Sequence, residues 1–334
     1  IISPTHGKNI IGCVEDSVSG IYLLTKEIEL SKEEASQLLL SIGFEDFELK
    51  KEKLTGKEVF SALLPKDFNY VGYAKKYTKC PKCSEGVKHK CEFDTYVVIK
   101  NGQLQSGIID SNSIGTENGA LIRALVIKYG EDITIEIIGR IFKLGIKTLL
   151  KRGFSTGIDD TDLSNELKEK IEDLLKESDE KVNEYIDLYR KEKLEALPGK
   201  TVSETLEVRS LEVLNKVRNK VGNLITESSS QINPTIIMAL SGAKGNLLNL
   251  AQMAACVGQQ ALGGKRIEKG YLNRTLPLFK ENDLGPEARG FIRKGFKNGL
   301  LPYEFFFHAM TGRDALMDTA LRTPKSGYLY RRLS

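Results

Sequence analysis

No stretch of about 18 consecutive apolar residues occurs in this 334-residue chain, which excludes a membrane-spanning helix of ordinary length. Histidine is scarce, at three, and no Ser-His-Asp or Cys-His catalytic set is evident: His6 lies in a turn-rich stretch and His89 stands beside cysteines. A phosphate-binding loop is missing too. Gly199-Lys200-Thr201 has the ending of one, but Leu194 stands where the loop's first glycine belongs. Neither sign of charge dominates, 49 Lys and Arg against 45 Asp and Glu, leaving a net charge of +4 and a pI near 8.6. Such a balance allows contact with nucleic acid but lacks the strongly basic footprint of a free-standing binder. The opening Ile-Ile-Ser-Pro is neither a start methionine nor a charged leader, and reads as the edge of an excised piece.

Cysteine is also sparse, yet three of the five fall within twelve residues, in CPKCSEGVKHKC. Cys80 and Cys83 form a Cys-x-x-Cys knuckle, and Cys91 with His89 would complete a tetrahedral zinc site that staples a loop and leaves no open catalytic position. The competing reading is a loop of reduced thiols. Either way the pattern predicts a cytosolic (cytoplasmic) protein in place of a secreted disulfide scaffold.

With 40% hydrophobic residues and 28% charged, the chain can bury one large core or two to three smaller ones. Residues 1–25 alternate turn formers with short β-branched runs and predict loop and strand. Residues 26–64 predict helix, with Ser31 as N-cap and Glu34 three positions on as a capping box. TYVVIKNGQLQSGIID, split at Asn101-Gly102, predicts a hairpin. Helix returns over 116–150 and ends at Gly153. From 162 to 222 a narrow apolar stripe, Leu167, Ile171, Leu174, Leu175, Val182, Ile186 and Leu188, runs between Lys- and Glu-rich faces and predicts two long antiparallel helices that pack mainly on each other. Glycine is dense over 236–300, which calls for tight turns or for backbone approaching a neighbour closely. Asp159, Asp160 and Asp162 form a tight acidic cluster. Helix capping, with favourable charge at a helix N-terminus, explains it better than a magnesium site.

The last stretch, GLLPYEFFFHAMTGRDALMDTALRTPKSGYLYRRLS, predicts one helix from Pro302 to Leu333, about 50 Å long at 1.5 Å per residue. Phe305, Phe306, Phe307, Met310, Leu316, Met317 and Leu321 spread over more than one face, so the rod should be gripped on several sides. Small residues at Gly312, Ala315, Thr319, Ala320 and Gly327 admit a neighbour to the backbone. Asp318 and Arg322 are spaced to pair. Pro324 removes a helical hydrogen bond and predicts a weak point near 320–324. The expected fold class is α+β, multi-segment and helix-rich, with a long antiparallel helix pair and a long C-terminal helix.

SGAKGNLLNLAQMAACVGQQALGGKRI, followed by RTLP, GPEARGF, GLLPYEFFFHAM and DTALRT with SGYL and RRL, resembles the largest catalytic subunit of cellular multisubunit DNA-directed RNA polymerases. IIGCVEDSVSGIYLLT, LTGKEVFSALLP and GFSTGIDD resemble the same subunit in the same order, in its archaeal form. The resemblance implies a pore-like α+β domain over 1–160, a funnel helical pair over 161–235, a glycine-rich funnel or cleft segment over 236–300 and the bridge helix over 301–334. It places Thr323 and Pro324, with Arg322 beside them, at the templating base, and His308 and Asp314 near the mobile trigger loop. It implies that Asn215, Arg218, Gln259 and Gln260 face the channel through which nucleotides enter, and that Lys244 lies near the incoming triphosphate. Other polymerase subunits, template DNA, the RNA–DNA hybrid and nucleoside triphosphates are the partners so implied, with Mg2+ as the cofactor of the full enzyme. The family's aspartate-rich magnesium loop is expected just before residue 1 and its trigger loop after residue 334, so the piece alone is expected to be inactive. Two departures stand out: Thr311-Gly312-Arg313-Asp314-Ala315 replaces the common Gly-Gly-Arg-Glu-Gly, and Pro324 replaces the usual alanine. The rival reading is a zinc-stapled coiled-coil module that binds partner proteins and does no nucleotide work.

Overall fold

The structure, a computed structural model, describes residues 1–45, 47, 51–74, 94–228, 233–268 and 270–334. Cys80, Cys83, His89 and Cys91 lie outside the described residues. The fold is helix-rich α+β, and the chain divides into two units.

The first unit, Ile1–Thr156 with Ser230–Asn246, contains α1 (Asp16–Glu27), β1 (Glu29–Ser31), α2 (Lys32–Ser41), β2 (Lys53–Thr55), α3 (Gly56–Ser61), β3 (Tyr70–Tyr73), β4 (Tyr96–Lys100) and β5 (Gln103–Ser106). It continues with α4 (Ser111–Ile114), α5 (Ala120–Tyr129) and α6 (Glu131–Arg152). A later helix, α9 (Pro234–Ser241), returns to it. Strands β3, β4 and β5 form an antiparallel meander, and β1 pairs with β2. The hairpin falls where Asn101-Gly102 predicts it, both residues at positive φ (49° and 71°), the backbone of a two-residue type I′ turn. Ser31 and Glu34 make the expected capping box at α2, and Thr55 with Glu58 makes a second at α3.

Two expectations fail here. Residues 1–25 predict loop and strand, but Asp16–Glu27 is helix, and the helix expected over 26–64 is cut into α2 and α3 by β1 and β2. Gly20, read as a turn former, is instead a packing residue. A Cβ on Gly20 would lie 2.0 Å from the Gly145 carbonyl oxygen, and a Cβ on Gly145 would lie 2.2 Å from that of Ser17. Helices α1 and α6 therefore touch backbone to backbone, and Ile21, Leu24, Ile141 and Leu144 close around the contact.

The second unit, Gly157–Ser229 with Leu247–Ser334, holds a 3-10 turn at Ile158–Thr161, α7 (Asn165–Arg190), α8 (Val202–Ser228), α10 (Leu247–Ala254), β6 (Gly258–Gln259), β7 (Ala261–Leu262), β8 (Lys265–Arg266), β9 (Phe291–Ile292) and α11 (Pro302–Leu333). Helices α7 and α8 run antiparallel: Arg209 stacks over Tyr185, and the Lys220 ammonium acts on Glu177 one turn pair further along. Leu167, Ile171, Leu175, Val182 and Ile186 are buried as the stripe predicts, whereas Leu188 is exposed. Thr201, dismissed as a phosphate-loop residue, caps α8 with Glu204: its hydroxyl accepts from Glu204 N and its own N–H donates to the Glu204 carboxylate. The acidic cluster works one step earlier than expected. Asp160 accepts from Gly157 N to close the 3-10 turn, while Ser164 is the N-cap of α7. Both explanations of the glycine-rich segment hold. Gly263 and Gly264 turn the β7–β8 hairpin at positive φ, and a Cβ on Gly295 would strike the Met253 carbonyl at 2.7 Å. No helix among the described residues is long and apolar enough to cross a membrane.

Two glycines of α6 make opposite predictions. Gly139 has open space where a Cβ would go, so Gly139→Ala should raise stability by about 0.5–1 kcal/mol. Gly145→Ala should lower it by about 1–3 kcal/mol or more, because backbone must move. Urea midpoints of the two variants would measure both, and equal shifts would sink the account of the α1–α6 contact. Burial also pushes the thiols of Cys13 and Cys256 up to about 12. At pH 8 almost none of either is thiolate, so iodoacetamide followed by peptide mass mapping should leave both unmodified until the chain is unfolded.

Candidate functional site

Three ion pairs tie the α7–α8 pair and the residues just before it to the segment that follows α10, and all three have the same polarity. Asp162, just before α7, meets Lys297 at 2.6 Å; Asp179 on α7 meets Arg293; Glu207 on α8 takes Arg266 through two bonds of 2.7 and 2.8 Å. Every carboxylate belongs to the helical pair with its lead-in, and every cation to the glycine-rich segment. The Arg266 side chain is fully buried, and its third nitrogen, Nη1, donates to the Leu284 carbonyl. A planar fork matched to a carboxylate is the arrangement that makes such burial tolerable. Lys297 also donates to the Ile158 carbonyl, and its charge holds the exposed Asp162 carboxyl below the usual range.

The segment so fixed carries the root of α11. Glu304, 3% exposed, accepts from Leu301 N at 2.8 Å and from Arg293 N at 3.3 Å, so one carboxylate both caps the helix and fastens it to β9's continuation. Phe307 is buried and stacks on Phe279, whose edge also meets Tyr303. His308 lies edge-on to Phe296, and its Nδ1 is 3.3 Å from Gln260 Oε1. Gln259 donates to the carbonyls of Gln260 and Arg289, and the Arg218 side chain lies against Gly258, where only glycine at φ 89° leaves it room. The Arg218 Nε and Gln259 Oε1 atoms are buried without a hydrogen-bond partner.

Beyond Met310 the helix leaves the unit's surface. Leu316, Met317, Leu321, Tyr328 and Leu329 are exposed, as are Phe305 and Phe306 near the root, so within this chain only the first turns are gripped. At 3.6 residues per turn, Gly312, Ala315, Thr319, Thr323 and Gly327 share one side, interrupted by Leu316 and Tyr330, and Met310, Met317, Leu321 and Tyr328 share the opposite one. Thr319 and Thr323 turn their hydroxyls back to the carbonyls of their own helix. Helical structure continues through Pro324 to Leu333. Asp318 and Arg322 pair at 2.7 Å as their spacing predicts.

Three family models tile the chain in order: RNA polymerase Rpb1 domain 3 matches residues 1–161, domain 4 residues 185–292 and domain 5 residues 299–334. The chain belongs to the largest-subunit family of RNA polymerase. Among curated relatives, it is 45% identical over its whole length to the DNA-directed RNA polymerase subunit Rpo1N of Methanothermobacter thermautotrophicus, 44% to that of Methanocaldococcus jannaschii and 41% to that of Sulfolobus acidocaldarius. It spans 38%, 25% and 38% of those relatives' lengths.

With the family established, the residues singled out from the sequence fall into three groups. Arg218, Gln259, Gln260 and His308 are brought together around the α11 root, with Asn215 three residues before Arg218 on α8. Asp314, Arg322, Thr323 and Pro324 stand on the free part of α11. Lys244 belongs to the first unit, where its ammonium meets the Glu15 carboxylate at 2.6 Å. Sequence reasoning missed Glu304, Phe279, Arg266 and Arg293. Only Glu304 carried a local signal, an acid three residues after the N-cap Leu301; the others act through partners remote in sequence. Removing one half of the buried pair leaves an uncompensated charge, so Glu207→Ala should cost about 3–5 kcal/mol. A loss under 1 kcal/mol by thermal unfolding would mean that Arg266 finds solvent or another partner.

Proposed function

We propose that the chain is the part of a DNA-directed RNA polymerase catalytic subunit that lines the path by which nucleotides enter and supplies the bridge helix beside the site of nucleotide addition. One observation carries this reading: a continuous helix of 32 residues fixed at its root and uncovered beyond it, with Gly312, Ala315, Thr319 and Thr323 giving access to the backbone on one side and bulky apolar side chains opposite. A helix that only packed would bury one face. This one offers two, the small one admitting nucleic acid close to backbone and the other a second partner.

In this reading Thr323 and Pro324, with Arg322 next to them, face the templating base. His308 and Asp314 face a moving loop, and Asn215, Arg218, Gln259 and Gln260 line the nucleotide channel. Lys244, on its flexible stem, takes the phosphates of the incoming nucleoside triphosphate. The contribution to nucleotidyl transfer is positioning: holding template, substrate and growing end for in-line attack. Among the described residues no set of three or more His, Cys, Asp or Glu side chains is arranged to hold a metal ion. Other polymerase subunits, template DNA and the hybrid are the partners of the assembled enzyme.

Photocrosslinkers placed at 308–324 in the assembled polymerase should capture template DNA or nucleotide. Capture of protein alone would favour the coiled-coil interaction module instead. Pro324 leaves the Ala320 carbonyl without its helical donor, so Pro324→Ala should stiffen the helix and change elongation rate or pausing on a defined template. An identical pause pattern would remove the proline from the mechanism.

A further inference from the structure

Glu15 is placed as few surface carboxylates are. It stands immediately before α1 with φ 50° and ψ −121°, backbone that residues with side chains rarely adopt, and it makes no cap bond to the helix it precedes. Its carboxylate instead reaches Lys244, 229 residues away in sequence, at 2.6 Å. Lys244 is equally constrained, riding a turn whose flanking glycines, Gly242 and Gly245, are both at positive φ. The pair is open to solvent, with side-chain exposures of 71% for Lys244 and 58% for Glu15. Beside it lies a cavity of about 260 Å3 lined by the residues that precede each partner, Cys13-Val14 and Gly242-Ala243, and by the polar side chains of Ser111, Asn112, Thr116 and Asn118. The Lys244 charge holds the Glu15 carboxyl below its usual range, and Glu15 raises the Lys244 ammonium in return, so both are ionised at neutral pH.

We propose that Glu15 is a built-in counter-ion that an incoming nucleoside triphosphate must displace from Lys244, and that it thereby sets the KM for nucleotide. The inference rests on the assignment of Lys244 to the triphosphate. Two charges already satisfied by each other greet a ligand less warmly than a bare ammonium. A polyanion displaces the single carboxylate, and the energy of the broken Glu15–Lys244 pair is subtracted from the energy of binding. Because the cost is the same before and during reaction, it falls on binding and not on the chemical step. Anchored just before α1, Glu15 remains close enough to re-form the pair when the ligand leaves.

The test is a double-mutant cycle in an assembled polymerase carrying the full largest subunit, with KM for nucleoside triphosphate and inhibition by inorganic pyrophosphate as readouts. Glu15→Gln should lower KM about two- to fivefold, the range of an exposed ion pair, and tighten pyrophosphate inhibition to a similar extent, with a smaller change in kcat. Lys244→Ala should raise KM, and adding Glu15→Gln to it should change nothing further. If Lys244→Ala raises KM but Glu15→Gln leaves it unchanged, the counter-ion role is overturned and the Lys244 assignment stands. If Glu15→Gln lowers KM equally in the Lys244→Ala background, Glu15 acts by bulk charge and the pair is irrelevant. If Lys244→Ala leaves KM unchanged, the Lys244 assignment fails and takes the proposal with it.

Discussion

A helix of 32 residues whose side chains are covered only in its first turns can hold its direction only through those turns. About 35 Å of rod then swings on whatever fixes residues 303–308. The structure meets this constraint with different kinds of force at one place: stacked rings at Phe279 and Phe307, a buried carboxylate on two backbone donors at Glu304, and the polar contact of His308 with Gln260. Each fails under different conditions. Stacking is insensitive to salt, whereas the Glu304 contacts are hydrogen bonds to backbone donors.

That root is only as firm as the segment beneath it, which has little regular structure of its own. Short two-residue ladders and glycine turns cannot resist load, so the segment borrows stiffness from α7 and α8 through Asp162, Asp179 and Glu207. In the first unit the α1–α6 contact is made by backbone approach instead of charge. Gly20 and Gly145 bring α1 and α6 within backbone contact, where dispersion and close packing replace ion pairs.

Local chemistry was legible before any coordinates. The Asn101-Gly102 hairpin, the Ser31–Glu34 capping box, the stop at Gly153, the apolar stripe of α7 and the span of α11 all follow from rules acting within a few residues. What failed was long-range. Gly20 reads as a turn in its own neighbourhood and is a packing residue only because Gly145 lies opposite. Arg266 looks like one more surface cation until Glu207, 59 residues earlier, swallows it. Of the site, Gln260 and His308 were named from resemblance and do meet, but Glu15 was invisible as the partner of Lys244, since no local pattern links positions so far apart.

The common polarity of the three ties has a consequence for the order of assembly. Synthesis delivers 162–228 first, and a helical hairpin rich in local contacts forms quickly. It therefore stands complete, with its acids in place, before Arg266, Arg293 and Lys297 leave the ribosome. The irregular segment is then laid onto a finished template of opposite charge, one cation after another, and the long rod is the last thing to be aimed.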